Sequence, residues 1–274
     1  MPTAEELPAW TEPFAESTRG RLARLPALEA IDREWAWGGS TGAGVTVGIV
    51  DSGVEADHPQ IAGRVVESLA VELREGEPSV IQDTGTDLFG HGTACAGIIV
   101  GMAPDVELVS MRVLGSDLKG KGAAFAAGLE HLIRRPVQVA NLSLSSKSEA
   151  LLPVFHGLAD EAYFRRVVLV SAVNNVLGPS YPSLFSSVIS VAAHSESDPW
   201  RFYYNPNPPV EFGARGLDVP VAWRGGGLTV GTGNSFAAPH ITALVALILS
   251  KHPGLAPFEV KAVLAAVANN ERPG

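Results

Sequence analysis

Short apolar runs rich in β-branched residues alternate along the chain with longer stretches of small and apolar residues. VTVGIV (45–50), bounded by Gly44 and Asp51, reads as a buried parallel strand. VELVSMRVL (106–114), VQVANLSL (137–144), RVVLVSA (166–172) and SSVISVAA (186–193) share that character. Helices are predicted over 26–36, 91–101, 122–135, near 149–163, 235–252 and 257–268. Basic residues in the last turn of the 122–135 segment complement its dipole. Residues 66–90 are acidic and turn-rich and read as a surface excursion. In DPWRFYYNPNPP (198–209) the aromatics and prolines form either a docking surface or a loop whose rings tuck onto the core. Alternating strand and helix signals predict an α/β fold, mainly a parallel sheet with helices on both faces. Residues 1–25 read as an irregular arm and 26–274 as one domain, without repeats or a long polar linker.

Composition narrows the classes. The 274 residues are 46 % hydrophobic and 18 % charged, enough for a sizeable core, and the 29 glycines and 20 prolines predict many turns. A formal net charge of −9 argues against a nucleic-acid or anionic-membrane surface. No run of 18 apolar residues predicts a membrane span. The start, MPTAEELPAW, has no basic stretch followed by an apolar one, so a cytoplasmic protein is the direct reading. The mature part of an exported protein is the alternative. Cys95 is the sole cysteine, which excludes an intrachain disulfide.

Open parallel sheets place their chemistry beyond the carboxyl ends of the strands. Asp51 stands there, directly after VTVGIV. Alone it is an ordinary turn former. His91 opens a segment of small residues between Gly90 and Gly92, which allow close backbone approach. Alone it is a helix-end histidine. Ser235 begins the last long apolar segment within GTGNSFAAPH (231–240), with Pro239 assigned to the first helical turn. Alone it is an N-cap serine. Together the three supply a nucleophile, a base to take its proton, and a carboxylate to fix the base's tautomer. Their chain order, Asp, His, Ser, is one of the known orders for such a triad.

GVTVGIVDSGVEADHP (44–59), HGTACAGII (91–99) and GTGNSFAAPHITALVALILSKHP (231–253) resemble the three signature blocks of the subtilase family, and the resemblance runs from about residue 28 to 268. It implies a three-layer subtilisin-like fold and a serine endopeptidase acting on peptide or protein substrates, with no cofactor. By resemblance Ser235 is the nucleophile, His91 the general acid/base and Asp51 the orienting carboxylate. The oxyanion would be held by the Ser235 backbone N–H and an asparagine side chain. In SAVNN (171–175) Asn174 aligns best with the family's Asn, and Asn175 is adjacent.

Ser143, Leu144, Ser145, Ala172 and Val173 match the segments that line the substrate in relatives. Ser145 and Val173 stand where glycines are usual, which predicts a narrowed pocket and a preference for small residues before the scissile bond. Phe236 replaces a common methionine after the nucleophile, and a phenyl ring cannot form a sulfoxide. Cys95, one helical turn after His91, reads as a small buried hydrophobe. The family's calcium loop is missing from the helix after His91, so no metal is expected in that position. The narrow pocket and the lack of export features lean towards a dedicated maturation protease acting on one precursor peptide. Two alternatives compete. One is a catalytically silent subtilase-like binding protein. The other is a ligand-binding α/β domain, for which Gly225-Gly226-Gly227 lacks the strand and helix context of a phosphate-binding loop.

Overall fold

The computed structural model describes residues 11–14, 17–18, 20, 25–61 and 63–271. Most of the 1–25 arm therefore lies outside the described residues. Where a helix over 26–36 was expected, a single 3-10 turn at Leu28–Ala30 precedes a short helix α1 (Arg33–Trp37). Asp32 caps it, accepting from the Trp35 N–H, and this sets the start later than the pattern implied.

The remaining elements follow in order: β1 (Thr46–Asp51), β2 (Val65–Arg74), β3 (Glu77–Gln82), α2 (His91–Met102), β4 (Glu107–Arg112), α3 (Gly122–Ile133), β5 (Val139–Leu142), α4 (Leu152–Phe164), β6 (Val168–Ala172) and β7 (Ile189–His194). After these come β8 (Phe202–Tyr204), β9 (Phe212–Arg215), β10 (Val219–Trp223), β11 (Gly227–Gly231), α5 (Asn234–Lys251) and α6 (Pro257–Val267). Nine strands form one sheet in the order β3-β2-β4-β1-β5-β6-β7-β9-β8, and β10 pairs with β11 in a separate hairpin. The seven inner strands run parallel, and β3 and β8 are antiparallel at the two edges.

Strand residues point alternately to two cores. Val47 and Ile49 of β1, Leu108 of β4 and Val170 of β6 face the core built on α2, α5 and α6. Val50, Val109, Met111 and Leu169 face the core under α3 and α4. This period-2 division is why the runs read as continuously apolar rather than alternating. At Gly48 a Cβ would meet Leu132 of α3 at 2.8 Å, so the glycine sets how closely that helix lies on the sheet. Burying Phe125, Leu129 and Leu132 contributes roughly 1.5–3 kcal/mol each. On the other side α5 is buried continuously from Phe236 to Leu249, as its apolar circumference requires.

Two expectations need correction. Residues 66–90 are not only a surface excursion, because β2 and β3 form an edge hairpin there. Glu75 and Gly76, with φ of 55° and 93°, make its two-residue turn. Glu72, Arg74 and Glu77 put exposed charge at the tip of this outer hairpin, whose edge strand is β3, and such charge disfavours pairing with other chains. In 198–209 part of the stretch is strand: Phe202 is buried in β8 and Tyr204 packs beside it, so those rings tuck onto the core.

Candidate active site

β1 lies between β4 and β5, and the chain crosses from one side of it to the other through α3. A crevice opens where strand order reverses in this way. Asp51 ends β1, Leu114 follows β4, Ser143 follows β5 and Ala172 ends β6. A cleft of about 490 Å³ lies over these ends.

Asp51 is fully buried, and both its carboxylate oxygens lie 2.9 Å from His91 Nδ1. Asp51 Oδ1 also accepts from the Ser52 N–H at 2.7 Å. With Nδ1 donating to this carboxylate, Nε2 is the nitrogen left to act as a base. His91 is the first residue of α2, and close glycine packing brings it there. A Cβ on Gly92 would collide with the Gly53 carbonyl, and one on Gly53, with φ of 103°, would collide with the Thr86 carbonyl. Burial disfavours the imidazolium, but the Asp51 charge and hydrogen bond outweigh it and hold His91 well above 6.5. The adjacent Cys95 adds to the upward pull on His91, and burial pushes the Cys95 thiol itself up.

Asp87, which the sequence reading passed over, is the buried clamp of this corner. Its Oδ1 accepts from Ser52 Oγ (2.8 Å), Phe89 N (3.0 Å) and Gly90 N (2.7 Å). Its Oδ2 accepts from Thr93 N (2.8 Å) and Thr93 Oγ1 (2.6 Å). The carboxylate thereby ties the loop after Asp51 to the first turn of α2, satisfying N–H groups that a helix start leaves unpaired. The one available sign was its place four residues before His91, and acidic residues abound in that stretch.

Ser235, half-buried, lies in the first turn of α5 and lines the cleft with His91. Pro239 lies in the second turn of α5, not the first as expected. Its missing N–H would have served the Ser235 carbonyl four residues back. Ser143 Oγ donates to that carbonyl instead, at 2.8 Å. Ser143 Oγ accepts from Asn141 Nδ2 (2.9 Å), and Asn141 Oδ1 accepts from Thr242 Oγ1 (2.8 Å). A buried polar relay thus runs from the middle of α5 through β5 to the backbone of Ser235. Cys95 Sγ joins it, 3.3 Å from Ser143 Oγ.

All the sequence-predicted lining residues meet here: Ser143, Leu144, Ser145, Ala172, Val173 and Asn174 share the cleft with His91 and Ser235. The two asparagines separate. Asn174 Oδ1 turns back to accept the Val176 N–H at 3.0 Å. Asn175 Oδ1 accepts the N–H of Asn234, the first residue of α5, at 2.9 Å. A Cβ on Gly233 would meet Asn175 Nδ2 at 3.4 Å and Ser235 Oγ at 3.5 Å, so the Asn175 amide and the serine hydroxyl flank one point. Asn174, the expected residue, and Asn175 both line the cleft with Ser235, and of the two it is Asn175 whose amide lies against the first residue of α5. A further wall, formed by Leu114, Leu118–Gly122 and Phe125, was not anticipated.

The chain was compared with known proteins. The subtilase family model matches residues 42–274. Subtilisin DY of Bacillus licheniformis is 31 % identical over 248 residues, covering 85 % of this chain and 86 % of the relative. An intracellular serine protease of Paenibacillus polymyxa is 28 % identical over 240 residues, covering 81 % and 71 %. A crystal structure of a cold adapted subtilisin-like serine proteinase superposes with a TM-score of 0.71 at 25 % identity, covering 87 % of this chain and 89 % of that one.

Proposed function

This chain belongs to the subtilase family and is a subtilisin-like serine endopeptidase, and from that premise we propose that Ser235, His91 and Asp51 perform its chemistry. Ser235 Oγ attacks the scissile carbonyl carbon while His91 Nε2 takes its proton. The C–N bond then breaks, and His91 returns that proton to the leaving amine. Water, deprotonated by His91, opens the acyl-ester and regenerates the serine. Asp51 keeps its charge throughout and stabilises the imidazolium. The observation that carries this assignment is the buried Asp51–His91 pair, 2.9 Å apart, sharing a cleft edge with the serine at a helix N-terminus.

The oxyanion is assigned to the Ser235 N–H and the Asn175 side chain. With Asn175 Oδ1 occupied by Asn234, its Nδ2 is the free donor on the serine side. Asn174 Oδ1 is likewise taken, by the Val176 N–H, which leaves the Asn174 Nδ2 as the alternative donor in the same cleft. Val173 and Ser145 line the cleft with side chains where glycines are usual in relatives, and on this reading the site takes small residues before the scissile bond and matures a particular precursor peptide. Among the described residues no helix is long and apolar enough to cross a membrane.

A fluorophosphonate probe tests the assignment. Labelling of the native chain, lost in Ser235→Ala and His91→Ala, is expected. A folded native chain that stays unlabelled would favour the silent binding protein instead.

A further inference from the structure

The chain has five lysines and a net charge of −9. Two of the five serve the fold. Lys251 Nζ donates to the carbonyls of Glu34 and Gly38. Lys261 Nζ bonds the carbonyls of Ser186 and Val188 and pairs with Glu211. The other three gather at the cleft. Lys119 and Lys121 line it on either side of Gly120, and Lys147 directly follows Ser146, the last lining residue of the segment after β5. All three are exposed. Among the described residues no aspartate or glutamate lines the cleft. Among the described residues Lys119 pairs with Asp117 at 3.7 Å, and both side chains are exposed, a pairing too open to neutralise the lysine. Glu149 lies two residues beyond Lys147 at an exposed position.

We propose that this cleft selects peptides carrying aspartate or glutamate beside the scissile bond, through Lys119 and Lys121 on one lining segment and Lys147 at the end of the other. The inference rests on the endopeptidase reading and names the substrate class of that site. An acidic protein repels an acidic peptide at long range, so unless local cations offset the field a net charge of −9 would disfavour such substrates. The lysines are within salt-screening distance of solvent, so the selection acts through modest, screened attractions at the rim rather than through a buried ion pair. Their long stems can follow different peptide lengths, which fits recognition of acidic character more than of one fixed carboxylate.

The test is a series of fluorogenic peptides differing only in Glu, Gln or Lys at each position around one cleavable bond. Native kcat/KM is expected to favour Glu over Lys by roughly tenfold at the best position, shrinking towards unity in 0.5 M salt. Lys119→Glu/Lys121→Glu should invert the ratio, and Lys119→Gln/Lys121→Gln should bring it close to one. The same peptides are measured by fluorescence anisotropy against full-length Ser235→Ala, which reads the preference without turnover. Equal handling of Glu and Lys peptides, or a Lys preference, overturns the inference while cleavage of the Gln peptide leaves the protease reading intact. A chain that cuts none of them but whose Ser235→Ala variant binds the Glu series more tightly supports the inference and removes the protease reading.

Discussion

The corner that holds Asp51 and His91 and the rim that carries Lys119, Lys121 and Lys147 lie around one cleft, yet they are built on opposite terms. In the corner every carboxylate is buried and saturated. Asp51 serves His91 and Ser52, and Asp87 accepts five hydrogen bonds. At the rim the charges are exposed and their side chains nearly unpartnered. Desolvation makes an electrostatic interaction strong and also makes its loss costly. The corner therefore fixes the reaction and tolerates little change, whereas the rim adjusts which substrate is taken and tolerates much.

The largest effect should come from breaking the corner where it touches the chemistry. Asp51→Asn is expected to lower kcat by about 10⁴-fold while the fold persists, because the amide favours the wrong imidazole tautomer. Steady-state kinetics beside a thermal melt would check it. Native kcat/KM should also climb with pH through a value above 6.5, since His91 acts as a base only when neutral and its proton is held tightly. A profile already flat below 6.5 would contradict this.

Next is the clamp. Asp87→Ala leaves Ser52, Phe89, Gly90 and Thr93 donors unpaired and is expected to cost about 3–5 kcal/mol in urea unfolding. A loss under about 1 kcal/mol would mean the corner holds itself without Asp87.

Two of the buried histidines, His91 and His240, sharpen the contrast through pH. His240, 3 % exposed and hydrogen-bonded to the Phe236 carbonyl, is pushed down by burial to about 4. Its folded form binds fewer protons than the unfolded chain between 6.5 and 4, so stability is lost as pH falls through that window, by about 3 kcal/mol. His91 has the opposite sign. Its raised value gives stability that is full below 6.5 and lost as pH rises through the folded value. Denaturant midpoints measured from pH 4 to 9 should show the acid loss. An acid limb unchanged in His240→Gln would show that other groups cause it.

Ser143→Ala removes the donor to the Ser235 carbonyl, and a loss of about 1–3 kcal/mol in stability is expected with a drop in kcat. Last come the rim lysines, whose single replacement by glutamine should move stability by less than about 0.5 kcal/mol.

Much of the corner was legible because its residues sit at junctions: a strand end, a glycine-flanked helix start, a serine after two glycines. Such places leave local marks in the sequence. Asp87 left none, since one carboxylate in an acidic loop looks like its neighbours until it is buried. Asn174 and Asn175 differ by one step after β6, where the chain leaves the sheet and no partner strand fixes which side chain turns inwards. The β2–β3 hairpin was hidden for a related reason. β3 is the outermost strand and β2 runs on past its last pairing with β4 at Ala70, so the solvent-facing Glu72 and Arg74 of that overhang masked the alternation. Pro239 was placed a turn too early because helix starts are read from composition, whereas the carbonyl it strands is seen only when Ser143 is found against it. The cleft wall from Leu114 to Phe125 gave no sign in advance, because loop residues acquire a role only from what they face.

Ser235 rides on α5, and α5 packs on one face of the sheet against β5, β6, β7 and β9, with α1, α2 and α6 beside it. A ribosome must therefore deliver the chain as far as Lys251 before the serine has anything to stand on. Asp51 and His91 emerge long before it, and the relay that holds its carbonyl needs Asn141 and Thr242 together. Proteolytic competence thus waits on the late-emerging half of the domain, and a chain that stops before Thr242 lacks one end of the relay that holds the nucleophile's carbonyl.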